Sequence, residues 1–203
     1  QTGGLWDGGG VYVVSIKGNE TSQPTRLNDN DPYHIAFFPS ITARGNSVTV
    51  AWEGGQPEVD LKNAWGTEVG WMRTFNGASW NEPVLVKGEP FKNLGLPKVV
   101  YDRDGRLHLT GTKGPRYYRR FPSGDSKPKY QWLTPEWMYH SRGGSFYLDQ
   151  KNNLWTVFDG QNSGTTNEIY CRMLPSGSTG DAITEWTKAL RISEDDKRPS
   201  IYP

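Results

Sequence analysis

The alternation of apolar and polar residues along this chain predicts β-strands and almost no helix. No window of about a dozen residues keeps the apolar i, i+3, i+4 spacing of an amphipathic helix. Three segments, 38–52, 97–110 and 145–158, instead contain two alternating runs joined by a polar or glycine-containing turn. Each of these segments therefore predicts a β-hairpin.

A third and a fourth strand are predicted after each hairpin. The third runs are 68–73, 116–120 and 168–173, and the fourth runs are 83–86, 130–133 and 189–192. The unit is thus four strands long with a period of roughly 47 to 58 residues, which is typical of β-propeller blades. We predict an all-β protein, a β-propeller of four-stranded blades, with repeats at about 36–87, 97–134 and 144–193.

The two ends of the sequence each resemble part of a blade. Residues 11–16 match the third run and 24–27 match the fourth, whereas 198–202 repeat the first run that begins at Phe38. We therefore expect three complete blades and a split blade formed by 1–29 with 197–203. The chain 1–203 is then a single propeller domain, or a fragment that a missing segment or a partner chain completes.

Composition is consistent with a folded β-protein and excludes two classes of partner. The 203 residues include 9 Trp, 10 Tyr and 7 Phe, too many aromatic residues for a disordered chain, and 24 Gly and 14 Pro, which suit tight turns. With 23 basic and 22 acidic residues the formal net charge is +1, which argues against nucleic acid as a partner. No apolar run approaches the roughly 20 residues that span a bilayer.

The start of the chain and one sequon favour a secreted protein. The sequence begins with Gln1 instead of Met, which suggests removal of an upstream segment, and Asn19 opens an Asn-Glu-Thr glycosylation sequon. The single cysteine, Cys171, excludes an internal disulfide framework. Because it alternates with Ile169 and Met173, we expect a buried, slowly reacting thiol; the alternative is an intermolecular disulfide.

The repeats resemble the sialidase-type, or BNR/Asp-box, propeller repeat. The likeness is carried by residues 39–41, 48–52, 79–83 and 168–172. The Asp box has the form Ser/Thr-x-Asp-x-Gly-x-Thr-Trp, and segment 75–80 keeps its Gly and Trp, has Asn76 at the Asp position and is one residue short. The resemblance implies the propeller fold. The family's Arg-Ile-Pro motif is not matched by Arg198-Pro199-Ser200-Ile201, so no catalytic residue is carried over.

Residues that precede the first strands are candidates for an enzyme site. Tyr139, His140 and Arg142 lie just before the third hairpin, and His34 has a comparable place before the first. An acid, a base and a cation that neutralises a carboxylate would suit a polysaccharide lyase acting on a uronate, or a glycoside hydrolase. The alternative is that they are hydrogen-bonded loop residues. We expect His108, in a second strand, to be structural and half-buried.

Other residues are candidates for ligand binding. Arg116, Tyr118 and Arg120 share one face of a predicted strand, which suits a groove for an acidic sugar. The alternative is a charged edge strand that resists aggregation. Trp65 and Trp137 lie in predicted loops, where aromatic rings can stack on sugars.

Two acid-rich turns are candidates for a cation site. Asp29 and Asp31 lie in one turn, Asp195 and Asp196 in the other, and both turns follow the last strand of a unit. Oxygen ligands of this kind can hold calcium, although Asp is also common in ordinary turns. We therefore assign no cofactor.

These features predict a secreted, non-catalytic propeller that binds a glycan or a protein partner through loops at one end. The first alternative is a polysaccharide-acting enzyme that uses the Tyr, His and Arg candidates. The second is a structural module of an extracellular assembly. Propellers host all three kinds of protein, so the fold alone does not choose among them.

Overall fold

The computed structural model describes residues 9–28, 36–55, 69–86, 97–111, 117–121, 129–132, 144–161, 167–180, 182–194 and 199–200. Four short strands come first: β1 (Tyr12–Val13), β2 (Ile16–Lys17), β3 (Glu20–Thr21) and β4 (Thr25–Arg26). Sheet 1 contains β5 (Ala36–Arg44), β6 (Ser47–Gly54), β7 (Val69–Phe75) and β8 (Val84–Val86). Sheet 2 contains β9 (Lys98–Tyr101), β10 (Leu107–Gly111), β11 (Tyr117–Phe121) and β12 (Lys129–Trp132). Sheet 3 contains β13 (Gly144–Leu148), β14 (Leu154–Gln161), β15 (Asn167–Leu174) and β16 (Leu190–Arg191).

Sheets 1, 2 and 3 are antiparallel, and in each the spatial order of the strands follows the order of the chain. The predicted all-β class is confirmed, and the described part contains a single 3-10 turn, Ile183–Glu185. Within that part no helix is long and apolar enough to cross a membrane. The alternative view of the Arg-rich strand as an edge strand is wrong, because β11 pairs with β10 on one side and β12 on the other.

The N-terminal strands confirm one predicted pairing and correct its extent. As expected for a third and a fourth strand, β1 pairs antiparallel with β4. The predicted run 11–16 does not continue as one strand, because β2 pairs with β3 in a separate hairpin. Two hydrogen bonds close this hairpin: Ser22 N–H donates to the Ser15 carbonyl at 2.9 Å, and Ser15 N–H donates to the Ser22 hydroxyl at 3.0 Å.

The core lies between successive sheets. Val11 and Leu27 of the N-terminal strands pack with Trp52 and Val50 of sheet 1. The opposite face of sheet 1 packs on sheet 2 through a cluster of buried residues: Ala51, Met72, Val86, Val99, Leu107 and Leu109. Val100 of sheet 2 packs against Leu154, Leu174 and Trp186 of the third unit. The first strands also contact one another in succession, β5 with β9 and β9 with β13.

Hydrogen bonds align the sheets at the ends of their first hairpins. Arg44 Nη2 donates to the carbonyl of Arg103 at 2.7 Å, and Arg103 N–H donates to Asn152 Oδ1 at 2.9 Å. The turns between first and second strands therefore share one side of the molecule, which we call the turn edge. We call the opposite side, where first strands begin and second strands end, the loop edge.

Cys171 is buried, as expected, and burial raises the pKa of its thiol. Tyr170 and Arg172, which point to the other face of the strand, are buried as well. That face packs toward sheet 2, since Leu174 belongs to it and to the core between these sheets.

Candidate functional site

Most of the sequence candidates fall in connections whose flanking strands end at the loop edge. Antiparallel strand order makes the connections 27–35, 55–68, 87–97, 112–116, 133–143, 162–166 and 192–199 begin or end at this edge. Eleven candidates fall in these connections: Asp29, Asp31, His34, Trp65, Arg116, Trp137, Tyr139, His140, Arg142, Asp195 and Asp196. All eleven lie outside the described residues, so the roles assigned to them from the sequence remain predictions.

Three other candidates lie within the described backbone. Tyr118 and Arg120 are in β11, with Tyr118 opposite Thr110 and Arg120 opposite His108 of β10. Asn19 lies in the turn between β2 and β3, where it is exposed and follows Gly18, whose φ is 61°. The sequon therefore occupies an accessible hairpin tip.

Three carboxylates lie at strand ends along the described part of the loop edge. Glu53 and Asp159 occupy equivalent positions near the ends of β6 and β14, and Glu168 lies near the start of β15. All three are buried. Glu168 accepts a hydrogen bond from the hydroxyl of Ser193, and the same hydroxyl accepts the Ile169 N–H at 3.0 Å. The segment after β16 is thereby fixed against the start of β15.

At the turn edge, Asp102 organises the hairpin of sheet 2. Its carboxylate accepts the Arg106 N–H at 2.8 Å, and its Oδ2 lies 3.0 Å from His108 Nε2 and 3.4 Å from Arg106 Nη1. Because an ionised carboxylate only accepts, His108 Nε2 carries the proton in this pair. Burial alone would raise the pKa of Asp102, but the hydrogen bonds and charges of His108 and Arg106 lower it overall.

The hairpin of sheet 3 makes the same arrangement with different residues. Asp149 accepts the N–H groups of Lys151 at 2.9 Å and Asn153 at 2.8 Å, and its Oδ2 accepts the Trp155 ring N–H at 3.0 Å. The Trp155 hydrogen bond is the largest cause that lowers the pKa of Asp149 to about 2. Trp155 stands where sheet 2 has His108, six residues after the aspartate. Since an indole cannot exchange a proton at neutral pH, the shared role of the pair is to hold the hairpin.

The cavity beside the Asp102–His108 pair is too small for a sugar. It is lined by Asp102, Arg106, His108, Asn152 and the turn 175–178, and its free volume is about that of one water molecule. His108 is only 2% exposed, so the expectation that it is half-buried is wrong. The expectation that it is structural agrees with this geometry. The paired Asp-x₅-His and Asp-x₅-Trp spacings at the two hairpins were the sequence signal for this contact.

Two further turns at this edge are closed by polar side chains. In the segment that resembles an Asp box, Asn76 Oδ1 accepts the N–H groups of Ala78 at 2.9 Å and Ser79 at 3.0 Å. Asn76, which stands at the position of the Asp in an Asp box, thus closes the turn. Glu185 accepts the N–H groups of Thr179 at 2.6 Å and Gly180 at 2.9 Å. Within the part of the chain that the structure describes, no group of three His, Cys, Asp or Glu residues could hold a metal.

No family model matches the chain, and no curated protein matches it at a significant level. Several solved structures do match the chain. A protein of unknown function from Dyadobacter fermentans is 16% identical over 79% of this chain and 56% of that one, with a TM-score of 0.55. A Hadza microbial sialidase is 10% identical over 79% of this chain and 38% of that one, with a TM-score of 0.57. An α-L-arabinofuranosidase from Lactobacillus brevis is 9% identical over 81% of this chain and 59% of that one, with a TM-score of 0.53.

These similarities concern the fold. The chain spans between 38% and 59% of the length of these three structures. Both named enzymes are propeller glycosidases, so the likeness supports a β-propeller fold of the glycosidase type for this chain.

Proposed function

We propose that this chain is a propeller module that binds carbohydrate at its loop edge without turning it over. The observation that carries the proposal is the contrast between the two edges. At the turn edge the polar side chains around Asp102, Asp149, Asn76 and Glu185 close turns within the chain. The connections that contain nearly all sequence candidates start and end at strand ends of the loop edge. The fold of the sialidase and of the arabinofuranosidase supports a carbohydrate as the ligand.

Binding is favoured over catalysis by the chemistry of the described residues. Glycoside hydrolysis needs two carboxylic groups at the substrate, and a lyase needs a base near its uronate. The described first strands β5, β9 and β13 contain no Asp, Glu or His, and the carboxylates of Glu53, Asp159 and Glu168 at the loop edge are buried. The remaining candidates for the enzyme alternative are Tyr139, His140, Arg142 and His34, in connections outside the described residues.

A glycan array combined with two turnover assays tests the proposal. The array should include arabinoxylan oligosaccharides, sialylated glycans and polyuronates, and the assays measure reducing ends and unsaturated uronates. We expect binding without turnover. Binding should fall in a loop-edge variant, His140→Ala, and should not change in a turn-edge variant, Lys151→Ala. Turnover that His140→Ala abolishes would establish the enzyme alternative, and silence in all assays would favour a structural module.

We also propose that sheets 1 to 3 are three complete blades and that β1 and β4 belong to a fourth, split blade. Tyr12 pairs with Arg26 as Tyr170 of sheet 3 pairs with Arg191, so the two tyrosines are at equivalent positions. Tyr170 is 8% exposed against sheet 2, whereas Tyr12 is 56% exposed. The N-terminal strands thus expose the face that a preceding blade covers elsewhere.

Sheet 3 exposes the complementary face. Ile192, directly after β16, is at the position equivalent to Val86, the last residue of β8. Val86 is 5% exposed because it packs against sheet 2, whereas Ile192 is 53% exposed. We propose that a missing segment or a partner chain covers both faces and completes the ring. Native mass spectrometry of the source protein decides between them. A monomer of 22.9 kDa with both faces open would contradict the proposal.

Secretion is part of the proposal and can be tested through Asn19. Its exposed place at the tip of the β2–β3 hairpin would admit a glycosylation enzyme. Expression through a eukaryotic secretory pathway should yield a mass that an endoglycosidase lowers, and Asn19→Gln should remove that difference. An unmodified wild-type product would contradict use of the sequon.

A further inference from the structure

Phe38, near the start of the first strand of sheet 1, has a backbone conformation that bulky residues avoid. Its φ is 50°, and the pairing of β5 with β6 is irregular between Phe37 and Ser40. Left-handed residues at bulges are typically glycine. Among the described residues the other non-glycine with positive φ is Asn152, a type that tolerates this region. Phe38 also precedes Pro39, and a following proline further restricts the backbone.

Packing does not explain why a phenylalanine occupies this strained position. Its side chain is in contact with the ring of Phe37, whose centroid lies 6.0 Å away at an interplanar angle of 46°, yet Phe38 is 54% exposed. A smaller or more flexible residue would relieve the backbone and expose less apolar surface. Strain of this kind is kept where the geometry itself has a use. Here it holds an aromatic ring in solvent at the loop edge.

We propose that Phe38, with Phe37 beside it, is a platform on which a neutral sugar ring stacks. The inference rests on the glycan binding proposed above. Sugar rings have an apolar face of C–H groups, and aromatic side chains commonly supply the apolar part of a ligand site. The two rings offer no hydrogen-bond donor and no positive charge to a carboxylate, so the platform suits a neutral sugar better than a sialic acid or a uronate.

The lack of a charged group on Phe37 and Phe38 therefore separates this site from the groove for an acidic sugar that the Arg-rich strand suggested. The platform belongs to β5, the first strand of its sheet, whereas Arg120 belongs to β11, the third strand of the next. An acidic ligand would depend on the arginine strand, and a neutral ligand would depend on Phe38.

Isothermal titration calorimetry with arabinoxylan oligosaccharides and with sialyllactose tests the platform. Phe38→Ala and Phe38→Gly should weaken binding of the neutral oligosaccharides at least about fivefold, and Phe38→Trp should stay within about twofold of wild type. The matched control is Ile41→Ala, which removes another exposed apolar side chain from the same strand and should leave affinity unchanged. Because glycine relieves the positive φ, Phe38→Gly should melt about 2 °C or more above Phe38→Ala.

Each outcome bears on one claim. If the wild type binds the neutral oligosaccharides and Phe38→Ala binds equally well, the platform is wrong while glycan binding stands. If sialyllactose binds better and depends on Phe38, the neutral class is wrong. If no glycan binds the wild type in calorimetry or on the array, the proposed function fails and the platform with it. A lower melting temperature for Phe38→Gly than for Phe38→Ala would overturn the strain argument.

Discussion

Replacing Asp102 by Asn should destabilise the hairpin of sheet 2 by an amount that can be measured. Asn has nearly the same shape as Asp. Its oxygen can still accept the Arg106 N–H, which lies 2.8 Å from Asp102 Oδ1 in the wild type. Its NH₂ group would then replace Oδ2, which lies 3.0 Å from His108 Nε2 and 3.4 Å from Arg106 Nη1. His108 Nε2 would lose this acceptor in a site where His108 is almost fully buried, and Arg106 Nη1 would keep only Asp104 as an acceptor.

The expected cost is about 2–3 kcal/mol, because a hydrogen bond to a charged group contributes about 1.5–3 kcal/mol and an unsatisfied buried donor adds to its loss. For a chain of this size each kcal/mol corresponds to about 2–4 °C, so the melting temperature at neutral pH should fall by about 4–12 °C. Asp104→Asn is the matched control. It removes an exposed ion pair with the same Arg106 at 2.5 Å, and such pairs contribute about 0–1 kcal/mol.

The same variant should change how stability depends on pH. The pKa of Asp102 is lowered in the folded state, so its contribution is present above the unfolded pKa and is lost as pH falls through the folded pKa. In urea titrations, the stability difference between wild type and Asp102→Asn should be largest near pH 6 and should shrink below about pH 4. The reasoning is refuted if Asp102→Asn melts within 1–2 °C of Asp104→Asn, roughly the error expected of the comparison, or if the difference does not narrow with acid.

Three further predictions use other described side chains. Trp155→Phe should raise the pKa of Asp149 above about 2, because the indole N–H is the largest cause of its low value; an unchanged carboxyl titration by NMR would contradict this. Native Cys171 should react with a thiol reagent at least about tenfold more slowly than in urea, because burial raises its pKa; fast native labelling would show that the face is open. Arg172→Met should leave the free energy of unfolding equal or higher, since Arg172 Nε is buried without a hydrogen-bond partner. Arg73→Met should instead lower the free energy of unfolding by about 1–2 kcal/mol, because Arg73 donates to two backbone carbonyls. Equal effects of the two substitutions in urea unfolding would refute this contrast.

The four-strand repeat could be predicted because each strand alternates and each first hairpin has a recognisable turn. Gly45 has a φ of 56° in the two-residue turn between β5 and β6, and Gly105 a φ of 85° in the next hairpin. The first two strands of each unit carry most of the alternation. The outer strands are short, and β16 covers only Leu190–Arg191 where the pattern predicted 189–192. Edge strands pair on one side only, so sequence pattern constrains their ends less than it constrains inner strands.

The pairing of His108 with Asp102 was not predicted because the two belong to different parts of a hairpin. Alternation alone places His108 on one face of a strand and says nothing about a turn residue folding back over it. Burial of the imidazole follows from two contacts: the aspartate in the turn, which only the repeated six-residue spacing of the two hairpins indicates, and the neighbouring sheet, which sequence spacing does not show. The loop candidates were identified by residue type, and residue type cannot fix how a long connection is arranged.

Equivalent positions in the three hairpins explain which polar groups are structural. Thr49, His108 and Trp155 occupy the same place in β6, β10 and β14. Thr49 Oγ1 lies 2.7 Å from the Tyr101 hydroxyl of sheet 2, and the other two bond to the aspartate of their own turn. Three different side chains thus meet one requirement, a hydrogen bond that joins parts of the fold: Thr49 bonds to the next sheet, and His108 and Trp155 bond to their own turns. Phe38 meets no such requirement, since it strains its strand and leaves its ring exposed. Among three sheets of similar construction, a residue that costs stability without forming a hydrogen bond or joining the core is the better guide to function.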